Sequence, residues 1–114
     1  TSAQHLGMVA AGIGPGDEVI VPSFTFAATA NSVALTGATP VFADIEPQFF
    51  NLDPDAVRAA ITPKTAAIMP VHLYGHPANM PEIMAIAQKH GLMVFEDAAQ
   101  AHAASIDGTP VGSF

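Results

Sequence analysis

Asp97 follows the short apolar run Met93-Val94-Phe95 and Glu96, and is itself followed by Ala98-Ala99-Gln100. In open α/β sheets, ligands bind beyond the carboxyl ends of the strands, so an acid placed there is a candidate ligand contact. Ala98 and Ala99 are small enough to let a ligand or a neighbouring backbone approach the carboxylate, and Gln100 adds a donor and an acceptor. The competing reading is an acid that caps a following helix. Thr1 and Ser2 open an apolar-periodic stretch, where hydroxyls and free N–H groups form an anion site suited to phosphate, or simply an N-cap. Phe24-Thr25-Phe26 offers an aromatic face to a flat ring, or two core side chains. His72 and His76 stand four apart, but Gly75 and Pro77 mark a loop and no third ligand is near, so no metal site is expected. Gly12-Ile13-Gly14-Pro15-Gly16 follows a helix and contains a proline, so it reads as a turn and not as a dinucleotide fingerprint.

The elements that must position these groups are legible from periodicity. Met93–Phe95, bounded by Gly91 and two acids, reads as a strand buried on both faces. Further strands are expected at Val19–Val21, Thr39–Ala43 and Ala66–Val71. Helices are expected over Ala3–Ala11, Ala27–Leu35 and Met80–His90, the last with Ile83, Met84, Ile86 and Ala87 inward and Gly91 as its stop. Asn51-Leu52-Asp53-Pro54 starts another that runs to Ile61. Ser105–Val111 is hairpin-like. Strand and helix alternate four times, which predicts an α/β fold with a mainly parallel sheet and right-handed crossovers. Ser23–Phe26, the loop after Ala43, His72 with Tyr74, and Asp97 with Gln100 then share one sheet edge. Thr1 and Ser2 join them if the first helix has the usual orientation.

Ten acids against three bases (Arg58, Lys64, Lys89) give a net charge of −7, which argues against non-specific nucleic-acid binding. No apolar run is long enough to span a bilayer. The absence of cysteine removes disulfides and thiolate metal sites and fits a reducing cytoplasm. At 114 residues the chain holds one domain at most.

A phosphate cradle, a flat apolar surface and a carboxylate suit one ligand well. Pyridoxal 5'-phosphate carries a phosphate, a ring that takes a stacking partner, and a pyridine nitrogen whose proton Asp97 would hold, making the ring an electron sink. The chain also resembles, along essentially all its length, the large domain of DegT/StrS-type sugar aminotransferases, a branch of the fold-type I pyridoxal phosphate enzymes. The residues that carry the resemblance begin with Thr1-Ser2-Ala3, the run Gly12 to Pro22, and Gly37-Ala38-Thr39-Pro40-Val41-Phe42. It continues through Ile61-Thr62-Pro63-Lys64-Thr65, Pro70-Val71-His72-Leu73-Tyr74-Gly75, and Glu96-Asp97-Ala98-Ala99-Gln100-Ala101-His102.

The resemblance implies a three-layer fold around a mainly parallel sheet, with Thr1 and Ser2 on the cofactor phosphate and Phe26, in preference to Phe24, on the ring. It implies Asp97 at the ring nitrogen and Gln100 near the ring hydroxyl. It further implies a cytoplasmic homodimer that moves an amino group from an amino acid, usually glutamate, to a keto group of a nucleotide-linked sugar. Neither Lys64 nor Lys89 matches the lysine that the family joins to the cofactor, a dozen or so residues beyond Gly112-Ser113-Phe114. Residues 1–114 are therefore expected to be part of a large domain, with an incomplete sheet that leaves Val19, Val21, Val41 and Phe95 beside open strand edges. A sugar dehydratase or regulatory member of the same family, and a binding module without chemistry, remain as alternatives.

Overall fold

The computed structural model describes residues 1–114 as alternating helices and strands: α1 (Ser2–Ala10), β1 (Glu18–Pro22), α2 (Ala28–Leu35), β2 (Thr39–Ala43), α3 (Pro54–Ala60), β3 (Thr65–Ile68), α4 (Met80–His90) and β4 (Met93–Val94). A small antiparallel hairpin, β5 (Ser105–Ile106) and β6 (Thr109–Pro110), follows. The main sheet is parallel throughout, in the order β2-β1-β3-β4. No helix is long and apolar enough to cross a membrane.

The alternation of side chains along β1 builds the three layers. Val19 and Val21 point to one face and pack with Met8 of α1, Val33 of α2 and Met69. Ile20 points to the other face and joins Val57 of α3, Ile83 and Ile86 of α4, and Ile68 of β3. All three β1 side chains are fully buried, each worth about 2 kcal/mol relative to exposure. The chain leaves β1 in one direction to reach β2, then returns past β1 to β3 and continues to β4. Keeping one hand for all three crossovers requires α2 on one face and α3 and α4 on the other, as observed.

Local chemistry fixes the ends. Asp53 caps α3 by accepting the Asp55 N–H at 3.0 Å, with Pro54 at the first position. Asn79 caps α4 and Gly91, at φ +66°, closes it. Two expectations are corrected. The Met93–Phe95 segment packs on both faces, Val94 against one core cluster and Phe95 against the other, but is only partly buried: within residues 1–114 β4 pairs only with β3, and Met93 is 37% exposed. Val19 and Val21 lie beside no open edge, because β1 is paired on both sides; the open edges belong to β4 and to β2, where Phe42 is 60% exposed. Beyond the regular strands the ladder continues through Phe95 N–H to the Ile68 carbonyl (3.0 Å) and Asp97 N–H to the Pro70 carbonyl (2.9 Å), so the sheet carries Asp97 to its carboxyl edge.

Gly37 has φ +87°, and a Cβ there would lie 2.8 Å from Pro15 Cγ, whereas Gly12 has φ +88° with open space around it. Gly37→Ala should therefore destabilise the protein by about 2–4 kcal/mol and Gly12→Ala by about 1 kcal/mol, read as shifts in denaturation midpoint.

Candidate functional site

A cavity of about 310 Å³ opens at the carboxyl ends of β1 and β3, where the strand order reverses. Thr1 and Gln4 come from the first turn of α1, Phe26 and Thr29 from the segment entering α2, and Asp97 and Gln100 from the turn after the edge strand. That volume lies within the range of about 300–1,000 Å³ usual for small-molecule sites.

Four of the five expected site residues meet here: Thr1, Phe26, Asp97 and Gln100. Ser2 sits exposed on the same helical turn as Thr1 but does not line the cavity. Thr1 is the N-cap of α1, yet its hydroxyl makes no capping bond. Phe26 is 78% exposed and lines the cavity, while Phe24 turns away to Phe50, with ring centroids 6.0 Å apart. Asp97 caps no helix, since turns and not a helix follow it. Its Oδ1 accepts the Ala99 N–H at 3.1 Å, and its Oδ2 accepts from Gln4 Nε2 at 2.5 Å. Gln100 Oε1 accepts the Tyr74 N–H at 2.8 Å, which pins the turn at Leu73–Gly75, where Tyr74 has φ +55°.

Sequence reasoning passed over Gln4, a polar residue inside the apolar pattern of the first helix, and that position was its only signal. Its Oε1 is buried without a partner, an omission that costs about 1–3 kcal/mol. Reasoning from sequence also missed the support beneath Asp97. His72 is fully buried; its Nδ1 accepts the Ala78 N–H at 3.0 Å, so the proton sits on Nε2 and is donated to Glu96 Oε2 at 3.0 Å. The same carboxylate accepts the Gly112 N–H and the Phe114 N–H, both at 2.7 Å. Both nitrogens of His72 are thus committed to the protein, and His76 stacks on Phe49 with centroids 3.8 Å apart. Buried Asn51 accepts the Leu73 N–H at 3.1 Å and donates to the His76 carbonyl at 2.9 Å.

The remaining charges lie elsewhere. Lys64 precedes β3 and Lys89 ends α4 just before β4, so both stand at the amino edge of the sheet, opposite the cavity. Arg58 pairs with Asp55 at 2.6 Å. A second cavity of about 380 Å³ lies between Phe49, His76 and Ile106. On its rim, desolvation pushes the Glu46 carboxyl up, but N–H donors from Phe49, Gln48 and Asn51 outweigh it and hold the group below its usual value.

Glu96→Gln replaces a charged acceptor of three hydrogen bonds with a neutral amide. It should cost about 2–3 kcal/mol and speed amide hydrogen exchange at Gly112 and Phe114, measured by NMR, with β1 unaffected.

The sequence model of the DegT/DnrJ/EryC1/StrS aminotransferase family matches residues 1–114. A UDP-N-acetyl-3-dehydro-alpha-D-glucosamine 3-aminotransferase of Acidithiobacillus ferrooxidans is 60% identical over 114 residues, which is 100% of this chain and 31% of that protein. A pleiotropic regulatory protein of Geobacillus stearothermophilus is 59% identical over 112 residues, 98% of this chain and 30% of that protein. Among solved structures, DesV of S. venezuelae in complex with a ketimine intermediate superimposes with a TM-score of 0.97 at 50% identity, over 99% of this chain and 30% of that one. The chain thus spans about a third of the length of the relatives it matches. With the family match unbroken from Thr1 to Phe114 and the same α/β architecture in the solved relative, the chain belongs to the DegT/DnrJ/EryC1/StrS aminotransferase family.

Proposed function

We propose that residues 1–114 form part of the large domain of a pyridoxal 5'-phosphate-dependent aminotransferase. In this reading the parent protein moves an amino group from an amino acid, with glutamate as the expected donor, to a keto group of a nucleotide-linked sugar. The observation that carries it is the convergence of Thr1, Phe26 and Asp97 on one cavity at the reversal of strand order. A relative named for amination of a UDP-linked sugar supports the substrate class. In the same reading the parent protein is a cytoplasmic homodimer, which the family resemblance supports.

The residues present fit the cofactor. Thr1 brings a hydroxyl without a capping partner and the free N–H groups of the first turn of α1, which suit a phosphate. Phe26 presents an uncovered ring on the same cavity. Asp97, acceptor-only when ionised, keeps a proton at a ring nitrogen, and the Ala99 N–H and Gln4 amide hold its two oxygens. The cofactor, when bound, supplies an electron sink for amino transfer. Gln100, fixed by the Tyr74 N–H, retains its amide donors for the ring hydroxyl. Lys64 and Lys89 lie at the far edge, so the lysine that the family joins to the cofactor is sought elsewhere in the parent.

The parent protein should take up pyridoxal phosphate with a visible absorbance band that borohydride abolishes; a protein that never binds it overturns the reading. A regulatory role is the second reading, favoured by the relative named as a pleiotropic regulator, and binding without turnover would support it. Asp97→Asn should slow the proton-transfer half-reaction by about 100-fold or more, on the order of 3 kcal/mol, while weakening cofactor binding far less. An unchanged single-turnover rate would reduce Asp97 to a turn-forming residue.

A further inference from the structure

We propose that Gln4 is a positioning residue for Asp97, holding its carboxylate in place for the ring nitrogen of a bound cofactor; this rests on the reading above. The contact joins the first turn of α1 to the end of the edge strand across 93 residues of sequence. A carboxylate offers only acceptors, so the Gln4 amide nitrogen must face it, and the orientation of the amide is fixed. Oε1 is then left buried with no donor. A methionine or leucine would fill the same space with no orphaned atom, so hydrogen bonding of its own does not account for a glutamine here. What Gln4 does for Asp97 accounts for it.

The surroundings explain the need. Ala3, Gln4 and Asp97 also line an adjoining cavity of about 330 Å³, bounded by Met69, Phe95 and Phe114. Asp97 lines both cavities, and two hydrogen bonds, one at each oxygen, hold its carboxylate. The Ala99 N–H restrains Oδ1, and the Gln4 amide is the side-chain restraint on Oδ2. Removing Gln4 leaves the carboxylate held at one oxygen.

Pyridoxamine phosphate, the amine form of the cofactor, binds without a covalent bond and is the probe. In the parent protein, Gln4→Met should weaken its affinity by about ten-fold, while the melting temperature without ligand stays within about 2 °C. In an Asp97→Ala background the same substitution should change affinity by less than about two-fold, because the group it positions is gone. A residue that merely packed α1 on the sheet would do the reverse, lowering the melting temperature and leaving affinity unchanged in both backgrounds. Should Gln4→Met fail to fold, the wild-type protein supplies the measurement. The Gln4 side-chain amide resonances should exchange slowly with solvent and shift on titration with pyridoxamine phosphate. Rapid exchange, or resonances unmoved at saturation, overturns the proposal. Wild-type binding with an unaltered Gln4→Met affinity overturns it alone; a wild-type protein that binds no pyridoxamine phosphate overturns the functional reading and this inference together.

Discussion

The chain leaves β1 toward β2 and leaves β3 toward β4, in opposite directions along the sheet and over opposite faces, so the segments that emerge from these two adjacent strands must part. With a constant hand, the connections cannot close over the carboxyl ends of β1 and β3, and the space between them stays open. The cavity that holds Thr1, Phe26 and Asp97 is that space. Its walls are therefore a product of topology first and of side chains second. The layers behind it, anchored by Val19 and Val21 on one face and Ile20 on the other, keep the opening from collapsing.

Within that frame, the floor is set by buried polar groups that are almost fully paired. His72 has no solvent contact and is locked in one tautomer between the Ala78 N–H and Glu96, and Asn51 satisfies the backbone on both sides of the same turn. An unpaired histidine or carboxylate at such a depth would be costly, and the network removes that cost by having each group restrain the next. Glu96 thereby ties the end of the edge strand to the segment at Gly112–Phe114, one residue before the acid that faces the cavity. The one group left unpaired, Gln4 Oε1, belongs to the residue that touches Asp97.

The charge distribution follows the same division of edges. The carboxyl edge carries the acid, the aromatic ring, the hydroxyl and the helix N-terminus, whereas Lys64 and Lys89 lie at the amino edge. The polar and aromatic groups of the cavity and the two lysines thus stand at opposite edges of the sheet. The chain supplies the cavity groups from three stretches far apart in sequence.

Much of the architecture was legible without coordinates, because the signals are local. The α4 boundaries, the β2 strand, the Pro54 helix start, the Gly91 stop and the hairpin all follow from periodicity and capping chemistry that act over a few residues. Family resemblance and strand-end logic together brought Thr1, Phe26, Asp97 and Gln100 to one place. Tertiary structure decided the rest. Met93 reads as a buried strand residue but is 37% exposed, since an apolar run does not state how many neighbours its strand has within residues 1–114. Val19 and Val21, expected beside an open edge, are central for the same reason. Phe24 and Phe26 are the same residue type two apart; the family resemblance preferred Phe26, and the path of the chain after β1 gives the physical reason, sending Phe24 to Phe50 and Phe26 to the cavity. Gln4 and Glu96 gave no local sign of their roles, because their partners lie 93 and 24 residues away and are brought to them only by the packing of α1 on the sheet and the pairing of β3 with β4.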